Sequence, residues 1–140
     1  MPHLRIWIHA VWGTKEHRPY LQPDLKKQVI EHIFENARAR KLHLIRVNGH
    51  VDHLHCLLSL NADLSIAKTM QLVKGESAFW ANKVRIIAPK FEWAEEYFAS
   101  SVSESMIDRV ISYIDNQEEH HRKVTFKDEY AKFLTAHKLT

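Results

Sequence analysis

The chain has 140 residues, 45% of them hydrophobic and 26% charged, a size and balance that give one compact domain and exclude a disordered or fibrous protein. Its formal charge of +3, from 20 Lys and Arg against 17 Asp and Glu, permits a phosphate-bearing partner without demanding one. No apolar run nears the roughly 18 residues of a membrane span, "MPHLRIWIHAVW" lacks a signal-peptide layout, and the single cysteine, Cys56, excludes an intrachain disulfide or a thiolate zinc site. A single cytoplasmic domain over residues 1–140 is therefore expected.

"HLRIWIHAVW", residues 3–12, alternates as a strand does, with Leu4, Ile6, Ile8 and Ala10 on one face and His3, Arg5, Trp7 and His9 on the other. A polar loop follows, and Asp24 after Pro23 is placed to cap a helix over about 24–40, whose stripe is Leu25, Val29 and Ile33 with Ile30, Phe34 and Ala37. "LHLIRV" and "VDHLHCLLSL" read as two antiparallel strands, and Asn48-Gly49 between them suits a tight type I′ turn. Residues 64–83 have the spacing of a second amphipathic helix, in which Gly75 suggests close packing. Pro89 ends whatever follows that helix, and "FEWAEEYFASSV", 91–102, supplies one or two short aromatic strands. Ser103-Glu104 opens a third helix running to about 122, and a short helix fits 126–137. This order predicts an α+β fold: an antiparallel sheet with two helices on one face, a ferredoxin-like split βαβ arrangement, plus C-terminal helices.

Histidine is unusually frequent, eleven in all, and gathers at 50–55 and 120–121. On a strand, His53 and His55 share one face while Leu54, Cys56, Leu58 and Leu60 take the other, apolar one. Two parallel imidazoles about 7 Å apart can bind one divalent metal from the same side. Spacing alone favours reading them as polar residues on a solvated sheet face, the commoner case. Asp52 alternates away from His53 and is read as a turn residue. In the third helix Tyr113 and Gln117 lie four apart at the edge of the apolar arc of Met106, Ile107, Val110, Ile111 and Ile114, and so stack on one side. A tyrosine there is ordinarily packing, whereas an amide oxygen one turn away is a possible neutral ligand.

With "HLH" on a strand and "YIDNQ" on a later helix, the sequence resembles the HUH-type single-tyrosine transposases of insertion sequences, the IS two-hundred-like group. The likeness runs in order through "WIHAVWGTKEHRPYL", "VDHLHCLL", "LVKGESA", "FEWAEEYFASSVS", "YIDNQEEHH" and "TFKDEYAKFL". It implies that His53, His55 and Gln117 bind a divalent metal, Mg²⁺ or Mn²⁺, and that Tyr113, on one of the C-terminal helices, is the catalytic nucleophile. The implied partner is single-stranded DNA with hairpin ends, cleaved to a 5′-phosphotyrosine and a free 3′-hydroxyl and later rejoined. The resemblance also implies a homodimer, in which the tyrosine helix of one protomer can complete the histidine site of the other.

The residue types suit that chemistry. A phenol with a pKa near 10 is a poor nucleophile at neutral pH and needs help with its proton, and the phosphate needs its developing charge stabilised. His121, four residues after Gln117, is within reach of the metal or a phosphate, although a solvated helix end also accounts for it. Lys15, Arg18 and Lys74 are candidate contacts to the DNA backbone, equally explained as surface charge. Where relatives often carry glycine before an aromatic, this chain has Glu95-Glu96-Tyr97, so a turn there is expected to differ. Two other readings use the same residues: a hairpin-binding regulator derived from a transposase that does not cut, and a metal-dependent phosphoesterase with water as nucleophile.

Overall fold

The computed structural model describes residues 3–84 and 90–139, and the expectation for Pro89 falls outside them. Four strands, β1 (Trp7–Gly13), β2 (His43–His50), β3 (His53–Ser59) and β4 (Phe98–Val102), form one antiparallel sheet in the order β2-β3-β1-β4. The helices are α1 (Pro23–Ala39), α2 (Ile66–Val84), α3 (Ile107–Asp115), α4 (Gln117–His120) and α5 (Phe126–Ala136). None of the described helices is long and apolar enough to cross a membrane.

The period of two along β1 and β3 sorts their side chains into two cores. Ile8, Ala10 and Trp12 of β1, with Leu54, Cys56 and Leu58 of β3, pack against Leu25, Val29 and Ile33 of α1 and Met70 and Val73 of α2. This is the large core, and it matches the expected split of faces. The opposite face is covered too: Val11, Phe98 and Phe126 form a smaller core, with Tyr130, Phe133 and Leu134 packed against it. The sheet is thus a middle layer, and His53 and His55 are completely buried rather than on a solvated face. The α+β expectation holds, with the C-terminal helices forming the third layer.

Several local expectations are corrected. The first strand starts at Trp7, not His3, and Leu4 and Ile6 are exposed. Gln22 is the N-cap of α1 and Pro23 its first residue, so Asp24 sits in the first turn, where its charge favours the helix dipole. Asn48-Gly49 lies inside β2, not at its turn. His50 pairs with His53, which leaves Val51 and Asp52 as the connection, neither with positive φ. Glycine is needed at 49 for a different reason: a Cβ there would lie 2.0 Å from the His53 carbonyl oxygen and 2.8 Å from Leu54 Cα. At Gly75 a Cβ would meet nothing within 4 Å, so close packing does not account for that glycine. Within 91–102 only β4 is a strand, while Phe91 and Trp93 are buried in the large core and Trp93 bridges to Thr14.

The expected single third helix is broken. A short 3-10 turn, Glu104–Met106, leads into α3, and Asn116, at φ −97° and ψ 20°, separates α3 from α4. A break strands the last carbonyls of a helix. Here Asn48 Nδ2 donates to Ile114 O at 2.9 Å and to Asp115 O at 3.4 Å, so the residue read as a turn former instead caps α3 from the sheet. At the same end, Lys26 of α1 donates to Gly49 O at 3.1 Å and pairs with Glu118 of α4 at 2.9 Å.

Candidate metal and tyrosine site

β3 presents His53 and His55 toward α3, α4 and α5, and the hydrogen-bond partners of each ring fix where its lone pairs go. His53 Nδ1 lies 2.9 Å from Asp52 Oδ1, a carboxylate that accepts, so Nδ1 carries the hydrogen and Nε2 of the neutral ring offers a lone pair. His121 Nδ1 likewise donates, to Val124 O at 2.6 Å, while its Nε2 lies 3.2 Å from the Glu129 carboxylate. Gln117 donates its Nε2 to Tyr113 O at 3.1 Å, which turns Oε1 inward to stand 3.1 Å from His53 Nε2 and 3.0 Å from His121 Nε2. Glu129 Oε1 completes the group, at 3.4 Å from His53 Nε2, 3.1 Å from His55 Nε2 and 3.2 Å from His121 Nε2.

The His53 lone pair therefore faces the acceptor oxygens of Gln117 and Glu129 across a buried space. Such an arrangement is repulsive unless the rings take up protons or a cation sits among them. Ligand atoms of His53, His55, His121 and Glu129 lie within 4.8 Å of one another, and their nearest spacings approach the octahedral edge of about 3 Å that metal–ligand bonds near 2.1 Å produce. Neutral imidazoles oriented by a carboxylate or a backbone carbonyl are the usual outer support of metal ligands. The donor set fits a divalent cation, and mixed nitrogen and oxygen ligands suit Mn²⁺ better than Mg²⁺.

Charge in the site is set by burial and by Glu129. Burial takes the His55 pKa down to about 4, only partly opposed by the Glu129 carboxylate. His9 of β1, with Nε2 2.9 Å from His55 Nδ1, is taken by burial to about 3. For Glu129 burial alone would raise the pKa, but hydrogen bonds from His121 and His55 hold it well below the ordinary carboxylate range. Asp52 follows the same pattern, its burial more than offset by the bond to His53. Burial would lower His121, yet Glu129 and the Val124 carbonyl raise it on balance.

Tyr113 reaches this cluster from α3. Its hydroxyl donates to Glu129 Oε2 and lies 3.3 Å from His120 Nε2, and its ring meets His55 edge-on with centroids 5.5 Å apart. Burial, then the bond to Glu129, push the phenol pKa above its ordinary value. The break at Asn116 lets α4 turn Gln117 and His121 toward β3, and Phe126 closes the outside by stacking on His53 at 4.2 Å. That ring needs Gly13 beside it, where a Cβ would stand 2.5 Å from Phe126 Cε2.

His53, His55, Gln117 and Tyr113, singled out in the sequence, thus come together within one chain. His121 joins them with its side chain turned inward, only 2% of it exposed, rather than at a solvated helix end. Asp52, expected to point away, bonds to His53. The basic candidates are engaged elsewhere: Lys15 pairs with Glu92 at 3.3 Å and Arg18 with Glu16 at 3.2 Å. Lys74 donates to the carbonyls of Ala94, Glu95 and Glu96, the nearest at 2.7 Å, and lies 5.6 Å from the Tyr97 ring. It therefore braces the segment where glycine was expected. Sequence reasoning missed Glu129 and gave His9 no role. One signal for Glu129 was present: Phe126, Tyr130 and Phe133 form an apolar stripe, and a carboxylate three residues after Phe126 and four before Phe133 sits inside it.

Comparison with known proteins agrees in fold. A protein described in its crystal structure as a candidate transposase from Deinococcus radiodurans R1 superposes with a TM-score of 0.67 at 21% identity, over 83% of this chain and 93% of that one. The REP-associated tyrosine transposase bound to a REP hairpin gives 0.66 at 13% identity, over 89% of this chain and 73% of that one. No curated protein matches the sequence. The family model described as "Transposase IS200 like" matches residues 3–117, which hold all four strands and helices α1 to α3 together with Tyr113 and Gln117, and the chain belongs to that transposase family.

Proposed function

We propose that this transposase cleaves and rejoins single-stranded DNA through a 5′-phosphotyrosine on Tyr113, at a site where His53, His55 and Gln117 hold Mn²⁺ or Mg²⁺. The observation that carries the reading is the meeting of inward lone pairs on His53, Gln117 and Glu129 with the Tyr113 hydroxyl, all beneath one sheet face. Bound there, a divalent ion would act as a Lewis acid on a phosphoryl oxygen. The chain's own residues do the rest. Asp52 fixes the His53 ring, His9 supports the His55 ring from behind, and the Gln117 amide is oriented by the Tyr113 carbonyl, so the ligand set is preorganised before substrate arrives.

The attack forms a bond from Tyr113 Oη to phosphorus and breaks the P–O3′ bond. Storing the phosphodiester as a phosphotyrosine makes the return step on a second strand nearly isoenergetic, so no nucleotide cofactor is needed. The hairpin carried by the REP-associated relative supports hairpin-ended DNA as the substrate class. Lys15, Arg18 and Lys74 are proposed to lie along the path of the strand, with Lys15 and Arg18 exchanging exposed carboxylate partners for phosphates.

The test is incubation of the protein with Mn²⁺ and labelled single-stranded DNA carrying the flanks of its own gene, followed by denaturing electrophoresis. A denaturation-resistant protein–DNA adduct is expected from the wild type, none from Tyr113→Phe, and hairpin binding without cleavage from His55→Ala. Cut DNA without adduct would replace the tyrosine chemistry with hydrolysis. A mobility shift without cutting would replace it with a binding role.

A further inference from the structure

We propose that Glu129 is a catalytic residue with two duties, one for each oxygen: Oε1 joins the metal ligands and Oε2 receives the proton of Tyr113. The inference rests on the tyrosine chemistry proposed above and goes beyond it, because that chemistry leaves the phenol's proton without a destination.

The geometry assigns one. Oε1 stands 3.1 Å from His55 Nε2 and 3.2 Å from His121 Nε2, among the inward-facing ligand atoms. Oε2 accepts the hydrogen bond of the Tyr113 hydroxyl and lies 3.2 Å from His120 Nε2. Only 3% of the Glu129 side chain is exposed, and no lysine or arginine is paired with it among the described residues. A carboxylate buried without a cationic side chain needs partners able to neutralise it. Its partners are the imidazoles of His55 and His121, the cation that these would hold, and the proton that the phenol gives up. His9, by contrast, has its Nε2 engaged with His55 Nδ1 at 2.9 Å.

In the forward step the phenol proton passes to Glu129 Oε2 as the phenolate oxygen bonds to phosphorus. The P–O3′ electron pair leaves on the 3′ oxygen, which takes up one proton from solvent while protonated Glu129 returns one to solvent through the neighbouring His120. Overall an O–H of tyrosine and a P–O3′ bond are exchanged for a P–O–tyrosine bond and a 3′ O–H. In the return step the attacking 3′-hydroxyl gives its proton to solvent as the P–O3′ bond forms and the P–O–tyrosine bond breaks, and the same carboxylate, reprotonated from solvent, gives a proton back to the departing phenolate.

The test pairs metal binding with chemistry. Calorimetric titration with Mn²⁺ alone, in the absence of DNA, is run on the wild type, Glu129→Gln and His55→Ala, and the rate of adduct formation is measured at saturating Mn²⁺. Glu129→Gln is expected to weaken Mn²⁺ binding about 10- to 100-fold and, with metal saturated, to slow adduct formation about 10²- to 10⁴-fold. Replacing Tyr113 by 3,5-difluorotyrosine, a more acidic phenol, should restore a larger share of the rate in Glu129→Gln than it adds in the wild type, which a purely structural role would not produce. Should the amide variant not fold, Glu129→Asp carries the same comparison, keeping the charge and withdrawing it from the phenol. Wild-type Mn²⁺ affinity and adduct rate in Glu129→Gln, with His55→Ala defective, overturns the role of Glu129 alone. Mn²⁺ binding that His55→Ala leaves unchanged overturns the metal site itself, and this inference with it.

Discussion

At the scale of single residues, the side chains of this site are held by groups that sequence patterns do not reveal. Gly49 is an example: as part of Asn48-Gly49 it advertises a turn, yet its lack of a side chain serves a close approach of β2 to the His53 carbonyl. Gly49→Ala would force backbone against backbone at the foot of the histidine strand, and a loss of about 1–3 kcal/mol of stability is expected, readable as a lower urea midpoint. Alternation placed His53 and His55 together, because a strand's period is local. The partners of those rings arrive from β1, α4 and α5 and were not legible from spacing. Their burial has a consequence for pH. His9 and His55 are held neutral, near 3 and 4, against an ordinary 6.5, so unfolding lets both bind protons as the pH drops below about 6.5. Their contribution is complete above that value and is lost toward their folded values. The lowered Glu129 acts with the same sign in the acid range, and the raised His121 works against it. The metal-free chain is therefore expected to melt at a lower temperature at about pH 5 than at about pH 7.5. Mn²⁺ should raise the melting temperature more at the higher pH, since protons compete for its ligands.

At the scale of elements, α5 rests on the small core rather than the large one, and it completes the site. Amphipathic stripes made α1 and α2 legible, because each packs on the large core. The long third helix was misread as continuous, because what breaks it is tertiary: Asn48 offers Ile114 and Asp115 the partners that a further helical turn would have supplied. α5 was legible as a helix, but which face it turns inward depends on the small core of Val11, Phe98 and Phe126. Elements with few buried apolar contacts open more readily than the sheet they cover. Thr125 caps α5, its Oγ1 accepting from Asp128 N at 3.2 Å, and removing such a cap costs about 1 kcal/mol. Thr125→Ala should therefore speed amide hydrogen exchange in α5 about fivefold while leaving β1 and β3 unchanged. Because Glu129 travels with α5, the same variant should lower the adduct rate more than it lowers the melting temperature would suggest.

At the scale of the whole molecule, the question is whether one chain or two make a site. The resemblance in the sequence implied a homodimer in which the tyrosine helix of one protomer can complete the histidine site of the other, and sequence alone has no means of choosing. The fold supplies an argument for assembly within one chain. α3 is tied to its own sheet by Asn48, by an ion pair of Arg46 and Asp115 at 3.2 Å, and by the complete burial of Ile114; α4 is tied through Lys26 and Glu118. Moving Tyr113 and Gln117 onto a partner would break all of these at once and strand the inward lone pairs of His53. Hydrogen bonds between a side-chain amide and helix-end carbonyls each contribute about 1 kcal/mol, and re-exposing an isoleucine costs about 2 kcal/mol more, so exchange has to be repaid by equivalent contacts in the partner. A mixture of Tyr113→Phe with His55→Ala reads out the choice. Each variant lacks one half of the site, and shared sites would regain about a quarter of the wild-type adduct in a mixed dimer population. Assembly in cis regains none, whatever the oligomeric state, and that is the expected result: two inactive variants should remain inactive at every mixing ratio and protein concentration. Recovery of the adduct would mean that the α3–α4 unit leaves its own sheet, and the ties through Asn48 and Lys26 would then be the contacts that the exchange remakes.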